Sequence, residues 1–157
     1  MNDVNMVVLK KSRKPPASGD IFAFSMPGTP FFFGRVIRTD ALIGPMKNNT
    51  LIYIYRVSSP DKTKVPELNK NELLVPPIMT NRQPWLRGYF ENIENRPLEP
   101  KNALEKHCFI DSWGHFYDEQ NNKLPDRVEP CGAYGLHSYR TIDDAVSKAL
   151  GIPLAPD

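Results

Sequence analysis

The stretch LIYIYRV, Leu51 to Val57, is β-branched or aromatic at five of its seven positions, a composition that suits a pleated, buried surface and predicts a central strand. Upstream, Gly19-Asp20 marks a turn, and Ile21 to Phe24 form a compact apolar run that reads as a buried strand. A turn from Met26 to Pro30 leads into Phe31 to Arg38, a second strand in which Gly34 signals a bulge or a close backbone approach. These two strands predict a hairpin, with Thr39 to Asn49 as a loop. Downstream, Ser58 to Lys70 is polar and proline-punctuated, and Glu72 to Val75 reads as a short edge strand halted by Pro76-Pro77. The segment Trp85 to Ile93 has period-two character that predicts a half-buried strand. His107 to Asp111 and Gly114 to Glu119 flank Ser112-Trp113, and Glu119 to Lys123 forms another turn, so this part predicts a meander.

The chain closes on TIDDAVSKALGIP, Thr141 to Pro153. Ile142, Ala145, Val146, Ala149 and Leu150 recur at helical spacing, Thr141 and Asp144 fit a capping box, and Gly151 and Pro153 stop the helix. Asp143 and Asp144 are expected near the positive end of the helix dipole and Lys148 near the negative end. The fold class expected is α+β: mostly antiparallel β, as a twisted sheet or partly open barrel of about 6–8 short strands, closed by one amphipathic helix at 142–150. The 157 residues fit one domain, with 1–18 as a basic lead-in or edge segment and 19–157 as a single β-rich domain.

Apolar residues make up 40% and charged residues 24%, which excludes a disordered chain, and no apolar run is long enough to span a membrane. The 16 prolines are spread along the chain and break long helices. Net charge is +2. It divides as +7 over residues 1–90, −4 over 91–129 and −1 over 130–157, too small in total to imply nucleic acid binding. Lys10, Lys11, Arg13 and Lys14 form a basic run without interleaved aromatics, a weak phosphate contact. The start of the chain lacks the apolar stretch of a secretory signal, so a cytoplasmic location is expected.

Candidate chemistry concentrates in HCFIDSWGH, His107 to His115. His107, Asp111 and a turn-mounted His115 are the one set that could converge on a metal, and three ligands plus water is the minimum for a zinc hydrolase. Two histidines beside an ordinary hairpin is the plainer reading. Cys108 and Cys131 belong to no zinc or redox spacing, and Cys131 reads as a small apolar residue near a turn. No nucleophile elbow, HExxH, Walker loop or dinucleotide fingerprint is present, and no cofactor is called for. For a binding protein, Trp85 and Tyr89 are candidate aromatic anchors. Glu91, Glu94, Asp118 and Glu119 are candidate acidic contacts for a basic partner.

GDIFAF (19–24), FFFGRVIR (31–38), GYFENIENRPL (88–98), FIDSWGHFYDEQNNKL (109–124) and GLHSYRTIDDAVSKALGIP (135–153) together resemble the immunity protein 26 family of bacterial polymorphic-toxin systems. The resemblance implies a cytoplasmic protein that binds a cognate toxin domain and blocks it. The same family name is attached to a phosphotriesterase, so a phosphate-ester hydrolase is the alternative it implies. The basic segment before Gly19 and the loop from Ser58 to Lys70 depart from the expected pattern, and loops of this kind are where a partner is chosen.

Overall fold

The computed structural model describes residues 3–156; Met1 and Asn2 of the lead-in and Asp157 lie outside the described residues. Nine strands and two α-helices follow in chain order: β1 (Asp20–Phe24), β2 (Phe31–Ile43), β3 (Met46–Ser59), β4 (Leu73–Thr80), α1 (Gln83–Leu86), β5 (Glu91–Asn95), β6 (Cys108–Ile110), β7 (Phe116–Tyr117), β8 (Lys123–Leu124), β9 (Cys131–Ala133) and α2 (Tyr139–Ala149). They build two open sheets, ordered β4-β3-β2-β1-β5 and β8-β7-β6-β9. All pairings are antiparallel except that of β6 with β9. The expected α+β class with a closing C-terminal helix is what the structure shows.

Leu51 to Val57 lies within β3, between β2 and β4. The hairpin of β1 and β2 pairs Phe22 with Gly34. A Cβ on Gly34 would stand 2.2 Å from the Phe22 ring and 2.7 Å from the Tyr53 carbonyl, so the glycine exists to let that ring lie flat on the sheet. Thr39 to Asn49 is not a loop. β2 and β3 run on as a hairpin, with register shifts, to a two-residue turn at Gly44-Pro45. Gly44 takes φ +54 at the first turn position, as the primed hairpin turns require. Nor does β4 stop at its prolines. Ile52 pairs with Ile78 but Ile54 with Val75, so Pro76 and Pro77 occupy a bulge on an edge strand, where a missing N–H is tolerated.

One face of the large sheet carries Phe22, Phe24, Phe32, Val36, Ile52 and Ile54, covered by Trp85, Phe90 and the α2 residues Ile142 and Val146. The other carries Leu51, Tyr53 and Tyr55 and is covered by Leu68, Leu98, Leu104 and Phe109. The strand expected at Trp85 to Ile93 is divided. Pro84 starts the short helix α1, Gly88 reverses the chain at φ +83, and only Glu91–Asn95 is strand. Trp85 thereby turns inward, edge-on to Phe22 and Phe90.

Helix α2 starts earlier than expected. Ser138, not Thr141, is the N-cap and accepts the Thr141 N–H, so Asp143 and Asp144 stand beyond the first turn. At the other end Gly151 N–H bonds the Lys148 carbonyl and Ile152 N–H the Ser147 carbonyl, the paired bonds of a Schellman stop with glycine at φ +71. Asp143 is fully buried, because its carboxylate accepts the backbone N–H groups of Asn5 at 2.8 Å and Met6 at 2.9 Å. The N-terminal segment is thus tied down along its length. Val7 N–H bonds the Ser25 carbonyl, Leu9 and Lys10 the Gly88 carbonyl, and Ser12 the Trp85 carbonyl, while Met6 enters the core.

Candidate functional site

The structure takes His107 away from the metal set in which it was considered. Its Nε2 lies 2.6 Å from the Tyr53 hydroxyl and its Nδ1 meets the Glu119 carboxylate. Glu119 can only accept, so Nδ1 carries a proton; Tyr53 accepts the Leu104 N–H at 2.9 Å and is left to donate its own proton to Nε2. With Nδ1–H on Glu119, every group in the relay has a partner. Burial pushes the Tyr53 phenol up to about 12, against the pull of the Leu104 N–H. Tyr53, His107 and Glu119 are all largely closed off from solvent, so this relay works as a clip. It fastens the segment before β6 and the turn after β7 to the large sheet.

Asp111 and His115 stand elsewhere, at the base of the turn joining β6 to β7, with His115 Nδ1 3.6 Å from the Asp111 carboxylate. Among the described residues, no group of three or more His, Cys, Asp or Glu side chains is placed to hold a metal ion. What Asp111 does is close the turn. Its Oδ1 accepts the N–H groups of Trp113 at 2.9 Å and His115 at 2.8 Å, and its backbone bonds Gly114 and the His115 carbonyl. Although burial raises its pKa, the His115 and Trp113 N–H donors and the nearby His115 ring outweigh that and hold it below the usual carboxylate range. At the tip, Trp113 is 83% exposed.

That residue was missed at the sequence level, where it counted as part of a turn. Trp85, the candidate anchor, is 1% exposed in the core, while Trp113, for which no contact role was expected, stands in water. The signal that separates them is Asp111 two residues before Trp113, with Gly114 after it, a pattern that builds an aspartate-closed turn and so leaves the intervening side chain outside. The other candidate contacts are scattered. Tyr89 is half-buried and stacks on Tyr139. Glu91 pairs with Lys62 and Glu94 with Arg96, both at 2.8 Å. Asp118 closes its own turn by accepting the Gln120 and Asn122 N–H groups. Glu119 belongs to the clip.

Cys108 and Cys131 lie opposite each other on β6 and β9, both buried, with sulfurs 2.9 Å apart. Burial, and then the Cys108 thiol beside it, push Cys131 up to about 12. Among the described residues, no helix is long and apolar enough to cross a membrane. A family model described as immunity protein 26 matches residues 17–118, which span both large-sheet hairpins, Tyr53 and His107 of the clip, and the Trp113 turn, and stop one residue short of Glu119. No curated protein and no solved structure matches the chain.

Proposed function

The chain belongs to the immunity protein 26 family, and from that premise we propose that it acts in the cytoplasm by binding and neutralising a cognate toxin domain, with Trp113 as the central contact. The observation that supports this reading is a projecting indole, 83% exposed, on a turn closed by the Asp111 carboxylate and backbone hydrogen bonds. Large aromatic side chains that become buried at an interface dominate binding energy. A contact held on a rigid turn also avoids most of the ordering cost of association. Asp111, Gly114 and the β6–β7 pairing supply that rigidity within the chain itself. Trp85, buried in the core, is not among the proposed contact residues.

The test is co-expression with the toxin domains encoded beside the gene, followed by pull-down and a toxicity assay. The immunity reading fails if no such domain is retained and no toxicity is relieved. With a partner in hand, Trp113→Ala is expected to weaken binding by about 2 kcal/mol, roughly 30-fold. Its unfolding curve should be unchanged, because the indole packs on little of its own chain. Full affinity in Trp113→Ala would remove the tryptophan from the interface while leaving the immunity reading intact.

A further inference from the structure

A cleft of about 540 Å³ opens on the face of the large sheet away from α2, between the loop residues Glu67 to Asn71 and the segment Arg96 to Asn102. Arg35 of β2 lines it while being only 5% exposed. Its Nη2 donates to the carbonyls of Arg96 at 2.6 Å and Pro97 at 3.4 Å, the Tyr55 hydroxyl lies beside the guanidinium, and its buried Nε makes no well-formed hydrogen bond. These partners are neutral, and among the described residues no carboxylate forms an ion pair with Arg35. A guanidinium withdrawn from water at a cost of several kcal/mol is ordinarily matched by an anion. Here the described residues supply Arg35 with neutral acceptors alone.

The rest of the lining agrees. Lys70 is held by the Ala103 carbonyl, again a neutral partner. Among the described residues Arg96 and Lys101 pair only with the exposed carboxylates of Glu94 and Glu99, pairings of little strength that a competing anion can displace. The lining holds four cations and two carboxylates, Glu67 and Glu99. Glu94 stands against Arg96 from outside the lining, and the cleft still carries a net positive charge, which suits an anion such as a phosphate group. No aromatic side chain lines the cleft, so nothing is present on which a nucleobase would stack.

We propose that this cleft is a binding site for a phosphate group, free or as a small non-aromatic monoester, with Arg35 and Lys70 as its principal cations. The site is independent of the toxin contact at Trp113. The full chain, in phosphate-free buffer, is titrated with inorganic phosphate and separately with glycerol phosphate, read by calorimetry and by backbone amide shifts. Saturable binding with Kd at or below about 1 mM is expected, with shifts at Asn69 to Asn71 and Arg96 to Asn102. Equal affinity for the two probes identifies the free ion as ligand, and tighter binding of the ester identifies an organic phosphate. Arg35→Met, which keeps the volume, and Lys70→Ala, which lies at the rim, are each expected to weaken binding by about tenfold. Lys70→Ala carries the test should Arg35→Met not fold. The proposal is overturned if neither probe saturates, if the shifts fall elsewhere, or if the folded variants bind like the wild type.

Discussion

Replacing Asp143 by alanine tests how much the N-terminal segment contributes to the fold. The carboxylate is fully buried and holds the Asn5 and Met6 N–H groups at 2.8 and 2.9 Å. Each hydrogen bond to a charged acceptor contributes about 1.5–3 kcal/mol, and the buried Met6 N–H, left without a partner, adds a penalty of about 1–3 kcal/mol. Two effects offset this: the Asn5 N–H can turn to water, and burial, the largest influence on Asp143, raises its pKa by disfavouring the charge. A net loss of about 3 kcal/mol remains, a large part of a stability of about 5–15 kcal/mol. It corresponds to a fall in Tm of about 6–12 °C for a chain of this size. The pH dependence has a definite sign. A folded pKa above the unfolded value of about 3.9 means the native state holds the proton more tightly. Asp143 therefore stabilises most at pH values below that, and its contribution shrinks as pH rises through the folded pKa. The gap between wild type and variant should be widest near the acid limit of folding. Urea denaturation measures the loss, and hydrogen exchange at Met6, Val7, Leu9 and Ser12 locates it. A loss under about 1 kcal/mol, with the Met6 amide still protected, would refute the reasoning.

Val146 is wholly buried in the cluster with Met6, Phe22 and Trp85, so Val146→Asp strands a carboxylate among apolar groups and should abolish the cooperative unfolding transition; a folded variant that merely fails to bind its partner would contradict the core assignment. Tyr53→Phe removes the acceptor of the Leu104 N–H and the donor to His107, with an expected loss of about 2 kcal/mol in denaturation and none if the clip is not structural. Because both thiols are buried and Cys131 is pushed up to about 12, iodoacetamide at mildly alkaline pH should label neither cysteine in the native chain and both after denaturation. Rapid native labelling would show the β6–β9 pair to be open.

Strong local chemistry was readable directly. LIYIYRV and the β1–β2 hairpin are dense in strand-favouring residues and α2 keeps one helical period, and the structure forms each of them, with α2 beginning one turn early. What misled was punctuation. Pro76-Pro77 reads as a strand stop, yet at an edge the chain bulges and continues, a choice made by the register against β3. Thr39 to Asn49 looks like loop because Gly44-Pro45 and Asn48-Asn49 are turn residues, yet backbone pairing with one turn at Gly44-Pro45 extends the hairpin. The period-two pattern around Trp85 lost to Pro84 and Gly88, which supplied a helical turn and a reversal. The candidate sites suffered from long-range effects. Neither the Tyr53–His107–Glu119 clip nor the Arg35 cleft has any local signature, since their members meet across 54 residues for Tyr53 and His107 and 61 for Arg35 and Arg96. Only the Trp113 turn was written locally, in Asp111 and Gly114.

The proline bulge of β4 also restricts how anything can attach to this protein. An exposed sheet edge ordinarily invites a foreign strand to zip on through its backbone, a route both to peptide capture and to uncontrolled association. Along β4 such a strand would meet two consecutive residues with no N–H to offer, in the place where the ladder is already out of step, and beyond them Met79 and Thr80 already bonded to His137. Growth of the sheet from that side is therefore blocked, and recognition there is left to side chains and turns, whose shapes can be altered one residue at a time without disturbing the sheet that carries them.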